Sequence, residues 1–206
     1  KAYDPSRPVQ FEQAFWGKDH NTDIICPMYW YYDKCKRYAS DNPKKPLIQC
    51  EYAHAMGNSM GGFKEYWDLI RKYPSYQGGF IWDFVDQSLR KQGKNGVMIY
   101  GYGGDWNPYD ASDKNFCDNG LVSPDRIPNP HMHEVRYWQQ PIWVREVDLQ
   151  TGRIAVFNEY AFRDISAYSL HWRLLCDGHE VLCGSVPSLD VAPQTEVPLQ
   201  LAYDAG

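Results

Sequence analysis

The chain has 206 residues, of which 26 are acidic and 21 basic, giving a formal net charge of −5. This length is enough for one domain or two small ones with a sizeable core. No basic stripe is present, and no apolar run approaches the roughly 18 residues of a membrane helix, so we expect neither nucleic acid nor a membrane as a partner. The six cysteines form no CxxC pair, which predicts buried thiols rather than a disulfide framework or a zinc site.

The first part of the chain alternates short apolar runs with segments of helical periodicity. Where apolar residues follow one another without alternation, a parallel strand covered on both faces is predicted. Strand, helix, strand, helix, strand is the order of a parallel α/β sheet, and four strands are too few to close a barrel. We therefore predict α/β architecture, the C-terminal half of a (β/α)8 TIM barrel. Its strands are predicted at residues 8–12, 23–29, 47–51 and 79–85, and its helices at residues 31–42 and 62–73.

A long segment rich in Gly, Asp and Asn, residues 101–130, comes next. It has almost no periodicity, and loops of this length are uncommon in compact domains unless they are functional. From about residue 140 the pattern becomes alternating, with an Asp-Gly turn signal at Asp177. We predict part of an antiparallel β-sandwich there, and hence two domains, residues 1–139 and 140–206. The sandwich strands are predicted at residues 142–147, 153–157, 169–175 and 180–183.

A carboxylate, Glu51, ends the third predicted strand and is followed closely by His54 and Asn58. In a parallel barrel the catalytic groups lie at the carboxyl ends of the strands, where Tyr29 and Trp82 are also expected. A carboxylate there can attack an anomeric carbon, and a tyrosine hydroxyl can hydrogen-bond to that carboxylate. An indole can support a pyranose ring, while His54 and Asn58 can bind hydroxyls. Together these residues predict the wall of a glycosidase active site.

Each of these residues also has an ordinary structural explanation. Glu51 can be a solvated glutamate at a strand end, and Tyr29 can be a packed tyrosine with a satisfied hydroxyl. Trp82 on an apolar strand can belong to the core, and His54 can donate to a nearby carbonyl.

Several segments of the chain, in order, resemble the large multidomain β-galactosidases of glycoside hydrolase family 2. The run Cys-Glu-Tyr-Ala-His-Ala-Met-Gly-Asn-Ser resembles the nucleophile motif of that family, and Gly-Gly-Phe-Ile-Trp-Asp-Phe-Val-Asp-Gln-Ser resembles its last barrel strand. After residue 140 the β texture merely fits the immunoglobulin-like domain that follows the barrel in the family. The resembling segments are residues 23–29, 50–59, 78–88, 102–105, 116–122 and 125–131.

The resemblance implies part of a retaining β-galactosidase that acts on β-galactoside substrates. Glu51 would be the nucleophile that forms a covalent galactosyl-enzyme, and Tyr29 would lie against it and assist its chemistry. His54 would contact sugar hydroxyls, with Trp82 as the platform under the galactose.

The resemblance also implies metal ions and a larger assembly. The backbone carbonyl of Phe116 and the side chain of Asn119 would help bind Na⁺ beside the sugar. The family also uses Mg²⁺, but its main Mg²⁺ ligands have no counterpart in these residues. On the sequence alone, Phe116 and Asn119 fit ordinary loop packing. The family further implies a homo-oligomeric parent in the bacterial cytoplasm or periplasm.

One half of the family's catalytic pair has no match. Its general acid/base is a Glu that follows an Asn on an earlier strand, whereas the one Asn-Glu pair here, at Asn158, lies in the β-rich part. We interpret that pair as unrelated to catalysis and predict that the isolated chain is inactive while its parent is an enzyme. Two alternatives stay open. The chain can be a carbohydrate-binding or interaction module, favoured by its aromatic residues, or part of another family 2 glycosidase such as a glucuronidase or mannosidase.

Overall fold

The chain divides into two compact units, Lys1–Gln139 and Gln140–Gly206. The first combines helices with parallel strands and a hairpin, and the second contains antiparallel strands. The mixed α/β prediction is therefore confirmed, while closure into a barrel is not seen among the described residues. The computed structural model describes residues 3–12, 14, 17–18 and 20–203.

Two parallel strands lie at the centre of the first unit. Strand β1 (Leu47–Tyr52) pairs in parallel with strand β2 (Tyr76–Ile81), as the α/β pattern predicts. On the other side of β1, residues 25–28 add two isolated parallel bridges. Glu51 therefore lies near the carboxyl end of a strand that has a parallel neighbour on each side.

Two helices connect these strands and follow the predicted periodicity. Helix α1 (Tyr32–Ser40) leads into β1, and helix α2 (Phe63–Lys72) leads from β1 to β2. The apolar face of α2 places Phe63 in the core. The helix ends at Lys72 because Pro74 forces the preceding residue into an extended conformation.

A buried amide links the core of this unit to the strand ends. Gln49 is fully buried in β1, where its Oε1 accepts the Trp30 N–H at 2.7 Å and its Nε2 donates to Tyr76 Oη at 2.9 Å. Because the amide has a partner at each end, its burial is compensated. The bond to Trp30 also fixes the backbone directly after Tyr29.

Three strand predictions for this unit need correction. Residues 8–12 form no strand. The Val9 N–H donates to the Asp23 carboxylate and the Val9 carbonyl accepts the Asp23 N–H, so neither group joins a β-ladder. Residues 23–29 form only isolated bridges, since Pro27 has no N–H to donate. The strand predicted at residues 79–85 begins earlier, at Tyr76, and ends at Ile81.

The segment predicted as a long loop contains and adjoins short elements. The two one-turn helices within it are too short for periodicity to reveal. The helix that follows it does have a sequence signal, because Asn129 precedes a proline at the first helical turn. These elements are strands β3 (Leu89–Gln92) and β4 (Met98–Gly101), helix α3 (Gly103–Trp106), a 3₁₀ turn (Lys114–Cys117) and helix α4 (Pro130–Trp138).

The second unit contains five described strands: β5 (Ile142–Asp148), β6 (Arg153–Asn158), β7 (Leu170–Cys176), β8 (His179–Val186) and β9 (Glu196–Gln200). They form a three-stranded sheet in the order β5-β6-β9 and a β7-β8 hairpin, both antiparallel. Side chains from both sheets pack into one apolar cluster. The sequence missed β9 because Pro198 argues against a strand, yet β9 lies at a sheet edge, where proline is tolerated.

The cysteine prediction is correct in part. All six cysteines are free thiols, and Cys26 and Cys35 are buried. Cys176 and Cys183 are exposed, contrary to the prediction. Both lie in the β7-β8 hairpin, where a two-stranded ribbon has too few neighbours to bury them.

Candidate active site

Glu51 and Tyr29 meet at the ends of adjacent parallel segments. The Tyr29 Oη donates a hydrogen bond to Glu51 Oε2 at 2.7 Å, and the Tyr29 N–H donates to the Glu51 carbonyl at 2.8 Å. The left-handed backbone of Tyr29, with φ +52°, ends the extended segment at this point. The phenol is therefore fixed against the carboxylate by both its backbone and its side chain.

The surroundings of Tyr29 keep its hydroxyl protonated. Partial burial, and then the carboxylate of Glu51, disfavour a phenolate, so the pKa of Tyr29 is raised well above its ordinary value. The Tyr29 hydroxyl is therefore the donor of this hydrogen bond, and the Glu51 carboxylate oxygen is its acceptor.

His54 connects this pair to the segment around Asn119. Its ring stacks on the Tyr29 ring with 5.8 Å between centroids and meets the Phe116 ring edge-on at 5.5 Å. The His54 Nε2 lies 2.7 Å from Asn119 Oδ1. Because an amide oxygen only accepts, the proton of this bond belongs to His54 Nε2. Five of the seven predicted site residues are thus in one chain of contacts: Tyr29, Glu51, His54, Phe116 and Asn119.

Phe116 and Asn119 lie side by side, and their role as Na⁺ ligands stays a prediction. Asn119 directs its amide nitrogen, and not its oxygen, at the Phe116 carbonyl. In this orientation the pair presents one oxygen, the Phe116 carbonyl, and since a hard cation needs several oxygen ligands, others would complete such a site. Turning the carboxamide over would place Asn119 Oδ1 beside the Phe116 carbonyl, and Nδ2 would then donate to His54 Nε2 in its other tautomer. Elsewhere in the described part of the chain, no three His, Cys, Asp or Glu side chains are grouped to hold a metal ion.

Trp82 follows β2 directly and is 37% exposed. Its backbone is held by Tyr52 and Ala55, with its N–H donating to the Tyr52 carbonyl at 3.3 Å and its carbonyl accepting the Ala55 N–H at 2.8 Å. Its peptide bond to Asp83 is cis. The indole is thus anchored through its backbone and keeps an accessible surface, rather than being a core residue.

Asn58 lies apart from this cluster. It is exposed and lines a cavity of about 820 Å³, together with Ser59, Asp86, His131 and Glu134 among others. The described residues that line the cavity do not include Glu51, Tyr29 or His54. Among the described residues, Asn58 makes no hydrogen bond to the candidate nucleophile.

Sequence reasoning missed the turn that carries Asn119. The Asn119 carbonyl accepts the Asp83 N–H at 2.7 Å, and the next N–H, of Gly120, donates to Asp86 Oδ1 at 2.7 Å. A glycine directly after the polar residue, inside a segment without periodicity, is the signal that could have indicated a tightly held turn.

The Asn-Glu pair of the second unit is engaged in structural hydrogen bonds. Asn158 is fully buried and donates to the carbonyls of Arg163 and Val191 at 2.8 and 3.0 Å. Glu159 Oε2 accepts the Trp143 indole N–H at 2.8 Å. These contacts account for both residues without a catalytic role.

Comparison with known proteins gives the family. The family model "Glycosyl hydrolases family 2, TIM barrel domain" matches residues 1–144. The chain belongs to glycosyl hydrolase family 2. A second family model, "Beta-galactosidase, domain 4", matches residues 154–205. The order of these two matches is the order of the barrel part and the β-rich part in the chain.

Individual relatives agree with this family. A β-galactosidase of Photobacterium profundum is 43% identical over 98% of this chain, which spans only 21% of that relative's length. Two solved structures of Ruminococcus gnavus β-glucuronidase are more distant. They are 18% and 16% identical, with TM-scores of 0.43 and 0.37, covering 67% and 58% of this chain and 27% and 22% of theirs. The family assignment rests on the sequence matches, since both TM-scores are below 0.5.

None of the described helices is both long enough and apolar enough to cross a bilayer.

Proposed function

We propose that this chain contributes the nucleophile to a retaining β-galactosidase. The observation that carries the proposal is the 2.7 Å hydrogen bond from Tyr29 Oη to Glu51 Oε2 at the carboxyl ends of neighbouring parallel segments. In barrel enzymes that edge of the sheet carries the catalytic groups. The 43% identical β-galactosidase and the match to β-galactosidase domain 4 favour galactosides over other sugars.

In the proposed mechanism Glu51 attacks the anomeric carbon of a bound β-galactoside and the bond to the aglycone oxygen breaks. A covalent galactosyl-enzyme forms, which water then hydrolyses with net retention. Tyr29 orients the carboxylate through its hydroxyl. It also stabilises the charge that returns to Glu51 when the covalent intermediate breaks down, because it keeps its proton.

The neighbouring side chains suit recognition of a sugar. His54 and Asn119 offer a hydrogen-bonding pair beside Tyr29, and Trp82 offers an accessible apolar face. We assign the hydroxyl contacts to His54, whose ring the buried Asn119 holds, and the platform to Trp82. Asn58 stays a prediction from its side-chain chemistry and position in the sequence.

The second carboxylate comes from outside these residues. A retaining glycosidase needs an acid/base about 5–5.5 Å from its nucleophile, and Glu159, the sole Glu after an Asn, lies in the second unit. We therefore propose that the isolated chain does not turn over galactosides and that the full-length protein does. No step of this mechanism uses Na⁺ or Mg²⁺.

The test compares the isolated chain with the full-length protein that carries this sequence. Both are assayed with nitrophenyl β-galactoside, β-glucuronide and β-mannoside. We expect turnover of the galactoside by the full-length protein alone. Preference for the glucuronide or the mannoside would identify another family 2 activity. Turnover by the isolated chain would overturn the proposal that the acid/base lies elsewhere.

A binding measurement separates this proposal from a carbohydrate-binding module. If the chain is part of a catalytic site, replacing Glu51 and Trp82 with Ala in the full-length protein should abolish binding of a galactose-configured inhibitor. Binding that survives both changes, but needs aromatic residues after residue 140, would favour the module instead.

A further inference from the structure

The peptide group between Asn119 and Gly120 is held at both of its polar atoms. The Asn119 carbonyl accepts the Asp83 N–H at 2.7 Å, and the Gly120 N–H donates to Asp86 Oδ1 at 2.7 Å. Asp86 is itself tied to this segment, since its own N–H donates to the Val122 carbonyl at 3.0 Å. The plane of this peptide is therefore set by the segment that leaves β2.

The following peptide group is held in the same way. The Gly120 carbonyl accepts from Asn129 Nδ2 at 2.8 Å and from His131 Nε2 at 2.9 Å, and the Leu121 N–H donates to the Asp83 carbonyl at 3.0 Å. Asn129 Nδ2 also lies 3.3 Å from Asp86 Oδ2. Asn129 and Asp86, which both bond to Gly120, thus also bond to one another.

Steric contact leaves the turn little freedom. A Cβ added to Gly120 would lie 2.1 Å from the Asp86 nitrogen and 2.4 Å from the Val122 carbonyl oxygen. Both contacts are with backbone, which cannot move aside as the end of a side chain can. The turn is consequently packed directly against the Asp86 backbone.

The orientation of this turn decides where the Asn119 side chain points. Asn119 is 1% exposed, and its Oδ1 meets His54 Nε2 at 2.7 Å. His54 in turn stacks on Tyr29, the donor to Glu51. A displacement of this turn from the Asp86 backbone would carry the Asn119 Cα, and with it the carboxamide, away from His54.

We infer that Asp86 is a positioning residue for the sugar site, acting through the Asn119–Gly120 peptide to hold Asn119 against His54. This inference rests on the proposed function, because it treats His54, the ring that Asn119 holds, as a sugar-binding group. Asp86 itself needs no contact with the substrate. What it supplies is an acceptor for the Gly120 N–H.

The test is a double-mutant cycle in the full-length enzyme, with Asp86→Ala, Asn119→Ala and the pair. We expect Asp86→Ala to lower kcat/KM for a nitrophenyl β-galactoside by about ten- to hundredfold, as small misplacements near a reacting centre do. If Asp86 acts through Asn119, the double variant should lose no more than Asn119→Ala alone. Losses that multiply would show that Asp86 acts independently and would overturn the inference.

Two further variants separate positioning from general stability. Asp86→Asn keeps an oxygen that can accept the Gly120 N–H, so it should restore most of the activity lost in Asp86→Ala. Asp164→Ala removes a carboxylate that likewise accepts a backbone N–H, from Ser166 at 3.0 Å in the second unit, and should leave kcat/KM unchanged.

The remaining outcomes also decide the matter. An Asp86→Ala enzyme that does not fold, beside an active Asp86→Asn enzyme, would show a purely structural role and overturn the inference. Equal losses in both variants would do the same. A wild-type enzyme that hydrolyses no β-galactoside would instead refute the proposed function, and that result is visible before any variant is made.

Discussion

Two glutamates of this chain receive very similar hydrogen bonds in very different places. Glu51 accepts the Tyr29 hydroxyl at 2.7 Å, and Glu159 accepts the Trp143 indole N–H at 2.8 Å. Both are partly buried, and each lies at or directly after the end of a strand. Local bonding therefore does not distinguish them.

Their wider surroundings do distinguish them. Glu51 lies at the end of the central strand of a parallel arrangement, with His54 and Asn119 linked to its tyrosine. Glu159 follows an antiparallel strand, beside an asparagine that satisfies two loop carbonyls. A carboxylate therefore becomes a catalytic candidate through its position on the sheet and through the side chains that surround it.

The largest expected effect comes from replacing the two glutamates themselves. In the full-length enzyme Glu51→Gln should lower kcat by at least about 1,000-fold, because the amide cannot form the covalent intermediate. Glu159→Gln keeps an oxygen for Trp143 and should stay within about twofold of wild type. Steady-state kinetics on both variants measure this, and similar losses in both would remove the distinction between the two sites.

The next largest effect is the loss of stability when a closely packed glycine of each unit, Gly120 or Gly184, is replaced by alanine. Gly120→Ala meets backbone atoms at 2.1 and 2.4 Å, whereas Gly184→Ala meets the Trp172 side chain at 2.5 Å. An indole can shift, whereas backbone cannot. Gly120→Ala should therefore lower the free energy of unfolding by about 3 kcal/mol, and Gly184→Ala should lower it by less. Thermal unfolding of the two variants checks the order, and a larger loss at Gly184 would contradict it.

A smaller effect is expected from replacing the hydrogen-bond donors to the two glutamates, Tyr29 and Trp143. Tyr29→Phe removes one hydrogen bond to a charged group, a contribution of about 1.5–3 kcal/mol, and should lower kcat about ten- to hundredfold. Trp143→Phe removes the donor to Glu159 and should leave kcat unchanged. If the two variants behave alike in the kinetic assay, Tyr29 has no part in the chemistry.

The smallest effect is on stability at alkaline pH. Burial raises the pKa of Tyr52 and of Tyr66 to about 12, above the value near 10 of an unfolded chain. The folded state holds these protons more tightly, so their stabilisation is complete below about pH 10 and is lost as the pH rises toward 12. The unfolding midpoint of the chain should therefore fall as the pH is raised from about 10 to about 11, and Tyr52→Phe should reduce the fall.

A tyrosine of the second unit provides the control for that titration. The pKa of Tyr160 is raised first by a hydrogen bond with Tyr168 and only second by burial. Tyr160→Phe should change the pH profile less than Tyr52→Phe. A larger change in Tyr160→Phe than in Tyr52→Phe would contradict the assignment of the pH dependence to the buried tyrosines of the first unit.

Much of the first unit follows from periodicity and sheet topology. The spacing in α2 and the apolar run of β1 predict both elements. Parallel topology also predicts that Tyr29 and Glu51 lie close together at the carboxyl ends of neighbouring strands. The link from His54 to Asn119 could not be predicted in this way. It joins residues 65 positions apart through a segment whose conformation depends on hydrogen bonds from other, distant side chains.

Local rules failed where tertiary context decided the outcome. Residues 8–12 have a strand-like pattern, but Asp23 captures the backbone of Val9. Pro198 argues against a strand, but the edge of a sheet accommodates it. In both cases a contact distant in sequence outweighed the local preference.

Covalent labelling can identify the nucleophile directly. The full-length enzyme is treated with a 2-deoxy-2-fluorogalactosyl inactivator, digested, and mapped by mass spectrometry. We predict one fluorosugar adduct, on the peptide that contains Glu51, and no adduct in Glu51→Gln. An adduct on another residue, or labelling that persists in Glu51→Gln, would show that Glu51 is not the nucleophile.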